Sequence, residues 1–227
     1  MRLLKFLFRK IKSRDLLIDK DIPSSYILMV VIDKLADLIR GLCLTRSLVF
    51  VGRGCKFSHL ANLKLGRGVE FGTFCQIDAL SSSHGIILGR GAKVGHYTII
   101  KVSGTLSDLG TGIVFGENVA IGDFCHIGGA GGVSIGSNTI TGAYVSIHPE
   151  NHNYSDLSIP IRLQGVSRQG ISIGEDCWIG AKATFLDGSS IGNGCIVAAG
   201  AVVNKNFDNN VILAGVPAKV VGHRGGV

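Results

Sequence analysis

Two histidines and two carboxylate side chains lie close together near the start of one segment of the chain, residues 148–172. His148 and His152 lie four positions apart, with Glu150 between them and Asp156 soon after. Because the pKa of imidazole lies near neutrality, a histidine here could accept the proton of an attacking hydroxyl group. A carboxylate beside it would fix its tautomer. The pattern indicates general base catalysis, although two solvated loop histidines would give the same sequence.

This segment interrupts a regular six-residue repeat. An aliphatic residue or phenylalanine, usually followed by glycine, returns at every sixth position from Ile173 to Val203, and earlier blocks keep the same step. A fixed short period is typical of a solenoid, in which each coil buries its apolar side chains against its neighbours. We therefore predict stacked coils of about 18 residues, three repeats to a coil. Residues 148–172 should leave the solenoid as a long loop.

The composition supports a helical cap followed by a solenoid. Of the 227 residues, 46% are hydrophobic and only 17% are charged, which excludes a disordered chain. The 33 glycines follow the six-residue repeat and not the period of collagen. Most cysteines occupy a slot for a small buried side chain, and such free thiols suit the cytoplasm. We predict a helical N-terminal cap over residues 1–46, the solenoid over residues 47–222 and a short basic tail over residues 223–227.

The N-terminal segment is basic and amphipathic. Apolar residues at helical spacing alternate with lysines and arginines in residues 1–20, and these contribute much of the net charge of +7. Helices here would cap the first coil, rest on an anionic membrane face, or do both. A second helix is predicted from Tyr26 to Leu42, and its charged residues argue against a membrane span. The basic run has no aromatic residues arranged for base stacking, since Phe8 belongs to its apolar helical face, so nucleic acid is not an expected partner.

Several motifs follow the loop in a fixed order. After Asn151-His152 the chain contains Ile173-Gly-Glu-Asp-Cys-Trp178-Ile-Gly-Ala181, Ala198-Ala-Gly-Ala-Val-Val203 and Ala214-Gly-Val-Pro-Ala-Lys219. Over residues 48–222 this set resembles the hexapeptide-repeat acyltransferases, in particular the galactoside, maltose and xenobiotic acetyltransferase branch and bacterial O-acetyltransferases of surface-polysaccharide synthesis. The resemblance implies a left-handed parallel β-helix, a homotrimer with active sites between subunits, and acetyl-CoA as donor. The handedness rests on the resemblance alone, since parallel crossovers are right-handed in nearly all proteins.

The resemblance also implies roles for the histidines. Asn151-His152 falls where the family has its catalytic histidine, so His152 is expected to be the general base, with His148 as its competitor. His126, about one coil earlier, either approaches the same groove or points to solvent. The carboxylate that orients the base stays open among Glu150, Asp156 and Asp123.

The remaining motifs are assigned to the donor. By resemblance, Trp178 lies beside the donor groove, although packing is its other role, and the backbone N–H of Ala181 would bond the thioester carbonyl or the oxyanion that it becomes. Small residues would let the pantetheine arm lie close to the coils, and these are Ala181, Ala199 and Gly200. Cations would complement its phosphates, and these are Lys205, Lys219 and Arg224. The family often has arginine at position 219, and lysine offers no bidentate fork.

Three other functions fit these residues less well. A serine or amino-sugar N-acetyltransferase of the same fold would differ only in its acceptor. A hydratase like the γ-class carbonic anhydrases needs three histidines at a spacing that this chain lacks, so no metal is expected. A non-catalytic scaffold would have lost the Asn-His and Trp178 positions. We therefore expect a cytoplasmic acetyltransferase, free or peripheral on the inner membrane face, whose acceptor is a saccharide in capsule, O-antigen or exopolysaccharide synthesis.

Overall fold

The computed structural model describes residues 19–225, in which one helix leads into a three-sided coil of short parallel strands. Helix α1 spans Ser24–Thr45, and 3₁₀ turns span Leu60–Asn62 and Ile161–Leu163. The strands pass in turn through three sheets, so each coil contributes one strand to each sheet. This is the solenoid that the six-residue repeat predicts.

The strands are named here by the sheet to which they belong. Sheet A contains β1 (Phe50–Val51), β4 (Glu70–Phe71), β7 (Lys93–Val94), β10 (Ala120–Ile121), β13 (Ile140–Thr141), β18 (Trp178–Ile179), β21 (Ile196–Val197), β24 (Val211–Ala214) and β25 (Lys219–His223). Sheet B contains β2 (Lys56–Ser58), β5 (Gln76–Asp78), β8 (Ile99–Lys101), β11 (His126–Gly128), β14 (Ser146–His148), β19 (Thr184–Leu186) and β22 (Val202–Val203). Sheet C contains β3 (Leu63–Leu65), β6 (Gly85–Leu88), β9 (Gly112–Phe115), β12 (Val133–Ile135), β17 (Ile171–Ile173), β20 (Ser190–Ile191) and β23 (Asn206–Phe207). A separate hairpin consists of β15 (Asn151–His152) and β16 (Val166–Ser167).

The inward positions of the sheets are the residues of the six-residue repeat. In sheet B, Ile127 is paired with Ile147, which is paired in turn with Phe185. In sheet C, Ile135 is paired with Ile173. All five side chains are buried in one apolar core that runs along the coil. Because side chains alternate along a strand, the residues between them point outward.

The coils turn between sheets at corners that require a left-handed backbone. At the corner between sheets A and B, called the A–B corner below, φ is positive in successive coils at Phe74, Tyr97, Phe124, Tyr144, Lys182 and Gly200. A glycine precedes most of these corners because a side chain there would collide with the next coil. A Cβ on Gly72, for example, would lie 2.7 Å from the backbone nitrogen of His96. Small residues at this point let the coils stack closely.

Helix α1 closes the first coil. It packs on β1 through Gly41, where an added Cβ would lie 2.0 Å from the carbonyl oxygen of Val49. Arg40 Nε donates a hydrogen bond of 2.8 Å to the carbonyl oxygen of Val51. The helix includes the predicted range from Tyr26 to Leu42, whereas the helix predicted earlier in the chain lies outside the described residues. Within residues 19–225, no helix is long and apolar enough to cross a membrane.

The C-terminal residues fold back onto the coil. β25 runs antiparallel to β24, with Ala214 opposite Lys219 and Val211 opposite His223. The sequence predicts a tail from residue 223, and the structure extends the last sheet to that residue. The fold-back covers one edge of sheet A, which would otherwise present unpaired backbone groups.

Four cysteines fill equivalent corner slots in different coils. They are buried and free of disulfides: Cys75, Cys125, Cys177 and Cys195. Burial raises the pKa of the Cys177 thiol to about 11. At neutral pH this side chain is therefore a protonated packing group and not a nucleophile.

Replacement of Ile179 by aspartate tests the inward ladder. Ile179 is 0% exposed, so Ile179→Asp removes about 1.5–3 kcal/mol of apolar burial and leaves an unpaired carboxylate in the core. We expect the free energy of unfolding to fall by more than about 4 kcal/mol, measured by denaturant titration. The matched control is Ile140→Asp, because Ile140 lies one coil earlier in the same sheet, points outward and is 49% exposed. Equal losses in the two variants would contradict the register.

Candidate active site

The long loop leaves the solenoid at the corner between sheets B and C, called the B–C corner. It starts after β14, returns at β17 and contains the antiparallel hairpin of β15 and β16. His152 lies in this hairpin opposite Val166, and its side chain is exposed. The coils on both sides keep their register, since β12 pairs directly with β17 and β14 with β19. The loop therefore projects from an undisturbed stack.

His152 borders a cleft of about 400 Å³ at the base of the hairpin. His126, His148 and Glu150 line the same cleft, together with Lys101. The rings of His126 and His148 stack with their centroids 5.4 Å apart. Of the two orientations left open for His126, the structure has the one that faces the groove. Three imidazoles thus converge on one opening whose volume suits a small-molecule site.

His126 favours its neutral form. Its Nδ1 atom is buried, with no hydrogen-bond partner among the described residues. Burial lowers the pKa of His126, and the charges of His148 and Lys101 lower it further. At neutral pH the ring is consequently uncharged. Together with His148, on which it stacks, it forms one side of the cleft.

Glu150 is paired with Arg168, a residue that the sequence analysis did not single out. Arg168 donates from Nε to Glu150 Oε2 at 2.7 Å and from Nη1 to Asp108 Oδ1 at 2.9 Å. Arg168 is only 20% exposed, so these pairs are partly shielded from water. The arginine, called the clamp below, ties both ends of the loop to the segment before β9. Its partners lie 18 and 60 positions away in the chain, so no local pattern could have revealed it.

The other two carboxylates proposed to orient the base are engaged elsewhere. Asp156 accepts a hydrogen bond of 2.6 Å from the Ser158 hydroxyl group, within a tight turn of the loop. Asp123 accepts one of 2.7 Å from the backbone N–H of His96 at the A–B corner. Among the hydrogen bonds of residues 19–225, none joins a carboxylate to the ring of His152. In the described part of the chain, the ring of His152 therefore has no carboxylate partner.

The hydrogen bonding at the A–B corner differs between the earlier and the later coils. In the earlier coils, the N–H of Thr73 donates to His96 Nδ1 at 2.9 Å, and the N–H of His96 donates to Asp123. In later coils the equivalent position is alanine, at Ala143, Ala181 and Ala199. The side chain of alanine cannot accept a hydrogen bond from the coil before it, and within the described residues the N–H groups of these alanines donate none. Such uncapped donors can bind an acyl oxygen.

Trp178 lies beside these uncapped donors. It points outward from β18 and is 56% exposed. Ala181 follows at the next corner, and Ala199 with Gly200 lies one coil later, where Gly200 has a φ of 72° and an added Cβ would meet nothing within 4 Å. The residues that the sequence assigns to the donor arm are therefore neighbours on one edge of the coil.

The three basic residues assigned to the donor phosphates differ in their surroundings. Lys205 Nζ lies 5.4 Å from the centroid of the Phe207 ring. Lys219 is exposed at the start of β25. Arg224 Nη1 donates at 2.9 Å to Asp176 Oδ2, so its charge is already paired within the chain. The two lysines are the freer candidates for an anionic ligand.

Most of the predicted site residues fall into two groups, separated by the width of sheet B. The histidine cleft lies at the B–C corner, whereas Trp178, Ala181, Ala199 and Gly200 lie at or beside the A–B corner. Lys205, between β22 and β23, lies at the B–C corner of a later coil, and Arg224 contacts Asp176 at the corner between sheets C and A. The lining of the histidine cleft includes neither Trp178 nor Ala181. Within residues 19–225, no group of three or more His, Cys, Asp or Glu residues is placed to hold a metal ion.

The fold and the paired corners define a hexapeptide-repeat protein. Residues 170–205 match the family described as bacterial transferase hexapeptide (six repeats), and the coils on either side repeat the same unit. This stretch of the chain is therefore similar to the hexapeptide-repeat transferases. The chain is 30% identical over 188 residues to a protein of Mycobacterium tuberculosis described as a probable acetyltransferase. This alignment covers 80% of this chain and 52% of that protein. It is 34% identical over 124 residues to WbbJ of Escherichia coli, a candidate lipopolysaccharide biosynthesis O-acetyl transferase, over 51% of this chain and 63% of that protein.

The chain therefore spans between half and two thirds of the length of these relatives. A hexapeptide-repeat acetyltransferase of Vibrio cholerae, solved with acetyl-CoA, has a TM-score of 0.53 at 21% identity and covers 65% of this chain and 73% of its own. The N-acyltransferase AntD of Bacillus cereus, solved with dTDP and CoA, has a TM-score of 0.53 at 17% identity and covers 78% and 81%. At these identities the likeness concerns the fold, which is the predicted left-handed parallel β-helix.

Removal of the clamp should loosen the hairpin. Arg168→Met keeps an apolar stem but leaves Glu150 and Asp108 without their cation. We expect amide hydrogen exchange of the hairpin strands to accelerate at least about tenfold, because local opening no longer breaks an ion pair. The matched control is Arg162→Met on the same loop, which has no ion pair among the described residues. Unchanged exchange in Arg168→Met would contradict the clamp.

Proposed function

We propose that this protein transfers an acetyl group from acetyl-CoA to a hydroxyl group of a sugar. The observation that carries the proposal is the convergence of His152, His148 and the neutral His126 on one open cleft, beside a hairpin held by Arg168. Relatives described as acetyltransferases, one of them for lipopolysaccharide biosynthesis, support this type of reaction. Envelope glycans are the acceptor class that we favour.

In the proposed reaction His152 is the general base. Its imidazole takes the proton of the sugar hydroxyl group as the oxygen attacks the thioester carbonyl carbon. The electron pair of the carbonyl moves onto its oxygen, and the uncapped N–H of Ala181 stabilises the negative charge. When the carbon–sulfur bond breaks, the imidazolium returns the proton to the departing thiolate. The products are an acetyl ester and CoA.

The donor would bind along the A–B corner. Trp178, Ala199 and Gly200 leave room for the pantetheine arm, because their edge of the coil carries small residues and one exposed ring. Lys219 would meet the phosphates of the nucleotide end as a point charge, and Lys205 would do so from the B–C corner of the last coils. Arg224 contributes less in this arrangement, since Asp176 already neutralises it.

The complete site requires two copies of the chain. His152 and Ala181 lie on opposite sides of sheet B, so the histidine of one copy would act on a donor held by the next. A homotrimer with active sites between subunits closes this arrangement, because three head-to-tail contacts form a ring. Asp123 lies on the same corner as Ala181, and it would then be the orienting carboxylate supplied by the second copy.

The test is an assay with labelled acetyl-CoA and a panel of soluble and lipid-linked saccharides, amino sugars and serine, read by mass spectrometry. For the acetylated acceptor we expect His152→Ala to lower turnover at least about a hundredfold, since a positioned base contributes that much or more. His148→Ala is the matched control and should keep most of the turnover. Near-normal turnover of His152→Ala would refute the assignment, and acetylation of an amine alone would refute the O-acetyl proposal.

We also propose that the basic N-terminal segment holds the protein on an anionic membrane surface. Support comes from sequence, because Lys5, Arg9, Lys10 and Lys12 alternate with apolar residues there. Each basic residue near such a surface contributes about 1 kcal/mol. Replacing these four by glutamine should abolish flotation with vesicles that contain anionic lipid. The same variant should behave as the wild type with neutral vesicles, and unchanged flotation with anionic ones would remove the membrane role.

A further inference from the structure

Lys101 brings a positive charge to the histidine cleft, which its side chain helps to line. It is the last residue of β8, and its carbonyl oxygen accepts a hydrogen bond of 3.0 Å from the N–H of Gly129 in the next coil. Val102, which follows it, is 1% exposed. The backbone of Lys101 is therefore fixed on the solenoid, while its side chain is exposed to solvent.

A notch at Gly128 separates this cation from the histidines. Lys101, Gly128 and His148 occupy the same position in three successive coils. Because neighbouring strands lie about 4.8 Å apart, the side chains of Lys101 and His148 start roughly 10 Å from each other. An added Cβ on Gly128 would lie 3.2 Å from Pro149 Cδ. The missing side chain thus leaves a gap with an ammonium group on one side and an imidazole on the other.

The charge of Lys101 is not neutralised by an ion pair within residues 19–225. Two carboxylates are its neighbours in the fold, and both have other partners. Glu150 lines the same cleft, but its Oε2 lies 2.7 Å from Arg168 Nη2. Asp78, opposite Lys101 in the preceding coil, accepts a hydrogen bond of 3.2 Å from the N–H of Leu80. The ammonium group therefore remains free to bind an anionic ligand.

The rest of the cleft determines what accompanies the anionic group. Besides burial and His148, the charge of Lys101 lowers the pKa of His126, so the ammonium group lies near the stacked rings. These rings offer an aromatic surface and imidazole nitrogens to a polar ring. Small residues at Gly104, Gly129 and Ala130 complete the lining. A sugar ring with one anionic substituent matches both the rings and the cation.

We propose that the ligand of this cleft is an acidic saccharide, whose carboxylate or phosphate group binds the ammonium group of Lys101 while a ring hydroxyl group faces His152. Lys101 is then the residue that distinguishes an acidic acceptor from a neutral one. A lysine suits this role as a point charge, since it offers no bidentate fork that would select one anion geometry. The position of the hydroxyl group rests on the proposed function, whereas anion binding by Lys101 does not.

The test is the binding of small saccharides to the full-length protein without acetyl-CoA, measured by NMR titration. The acidic probes are a methyl glucuronoside and glucose 1-phosphate, and the neutral probe is methyl glucoside. We expect the wild type to bind at least one acidic probe at least about tenfold more tightly than the neutral one. Lys101→Met should abolish this preference, and Lys101→Arg should restore most of it. Added salt should weaken the acidic complex of the wild type.

Lys56→Met is the matched control. Lys56 is an exposed lysine on the same sheet, outside the cleft and without an ion pair within the described residues. Its replacement removes the same charge and should leave the preference unchanged. Preference for the glucuronoside would support a uronic acid as the ligand, and preference for glucose 1-phosphate would support a sugar phosphate.

Equal binding of acidic and neutral probes by the wild type would overturn the proposal, as would a preference that persists in Lys101→Met. Loss of CoA binding in Lys101→Met with unchanged saccharide binding would also overturn it, since the lysine would then serve the donor. Acetyl transfer is measured separately. Acid binding that depends on Lys101 without any transfer refutes only the proposed function, and transfer to neutral sugars that ignores Lys101 refutes only the role of this lysine.

Discussion

The register between coils is the constraint on which the rest of the structure depends. Every strand of the solenoid pairs in parallel with the strand one coil before it, as Ile127 pairs with Ile100 and then with Ile147. Each position of a coil therefore becomes a column along the molecule. The inward columns are the apolar core, and the corner columns bring together residues about 20 positions apart. Neighbouring side chains at a corner therefore come from successive coils and not from adjacent positions in the sequence.

The A–B corner shows how one column serves both stability and chemistry. In the earlier coils a side chain accepts the N–H group of the coil before it, as Asp123 does for His96. In the later coils alanine interrupts this capping at Ala143 and Ala181. A backbone N–H group without a partner would destabilise a buried site. At this exposed edge, the same group is available to donate a hydrogen bond to a ligand. The interruption coincides with the residues that the sequence motifs relate to an acyl donor.

Much of the fold follows from the sequence because its pattern is periodic. The repeat predicts the inward residues and the coils. It also predicts where the loop leaves the solenoid, because the six-residue spacing is interrupted there. The assignment of Trp178 and Ala181 to an acyl donor comes from the order of the motifs and stays a prediction. The clamp could not be predicted, because Arg168 meets partners 18 and 60 positions away through an irregular loop. Nor could the partners of Asp123 and Glu150 be chosen, since a single carboxylate can accept from many donors. The antiparallel return of β25 lies beyond the last regular repeat.

The undisturbed pairing across the loop has a consequence for the diversification of such proteins. Because β14 and β19 keep their register on either side of the loop, the 22 or so residues that separate β14 from β17 can change in length or sequence without altering the pairing of the coils. Under the proposed function, related proteins could then differ in acceptor by changes confined to this loop, while the A–B corner stays the same.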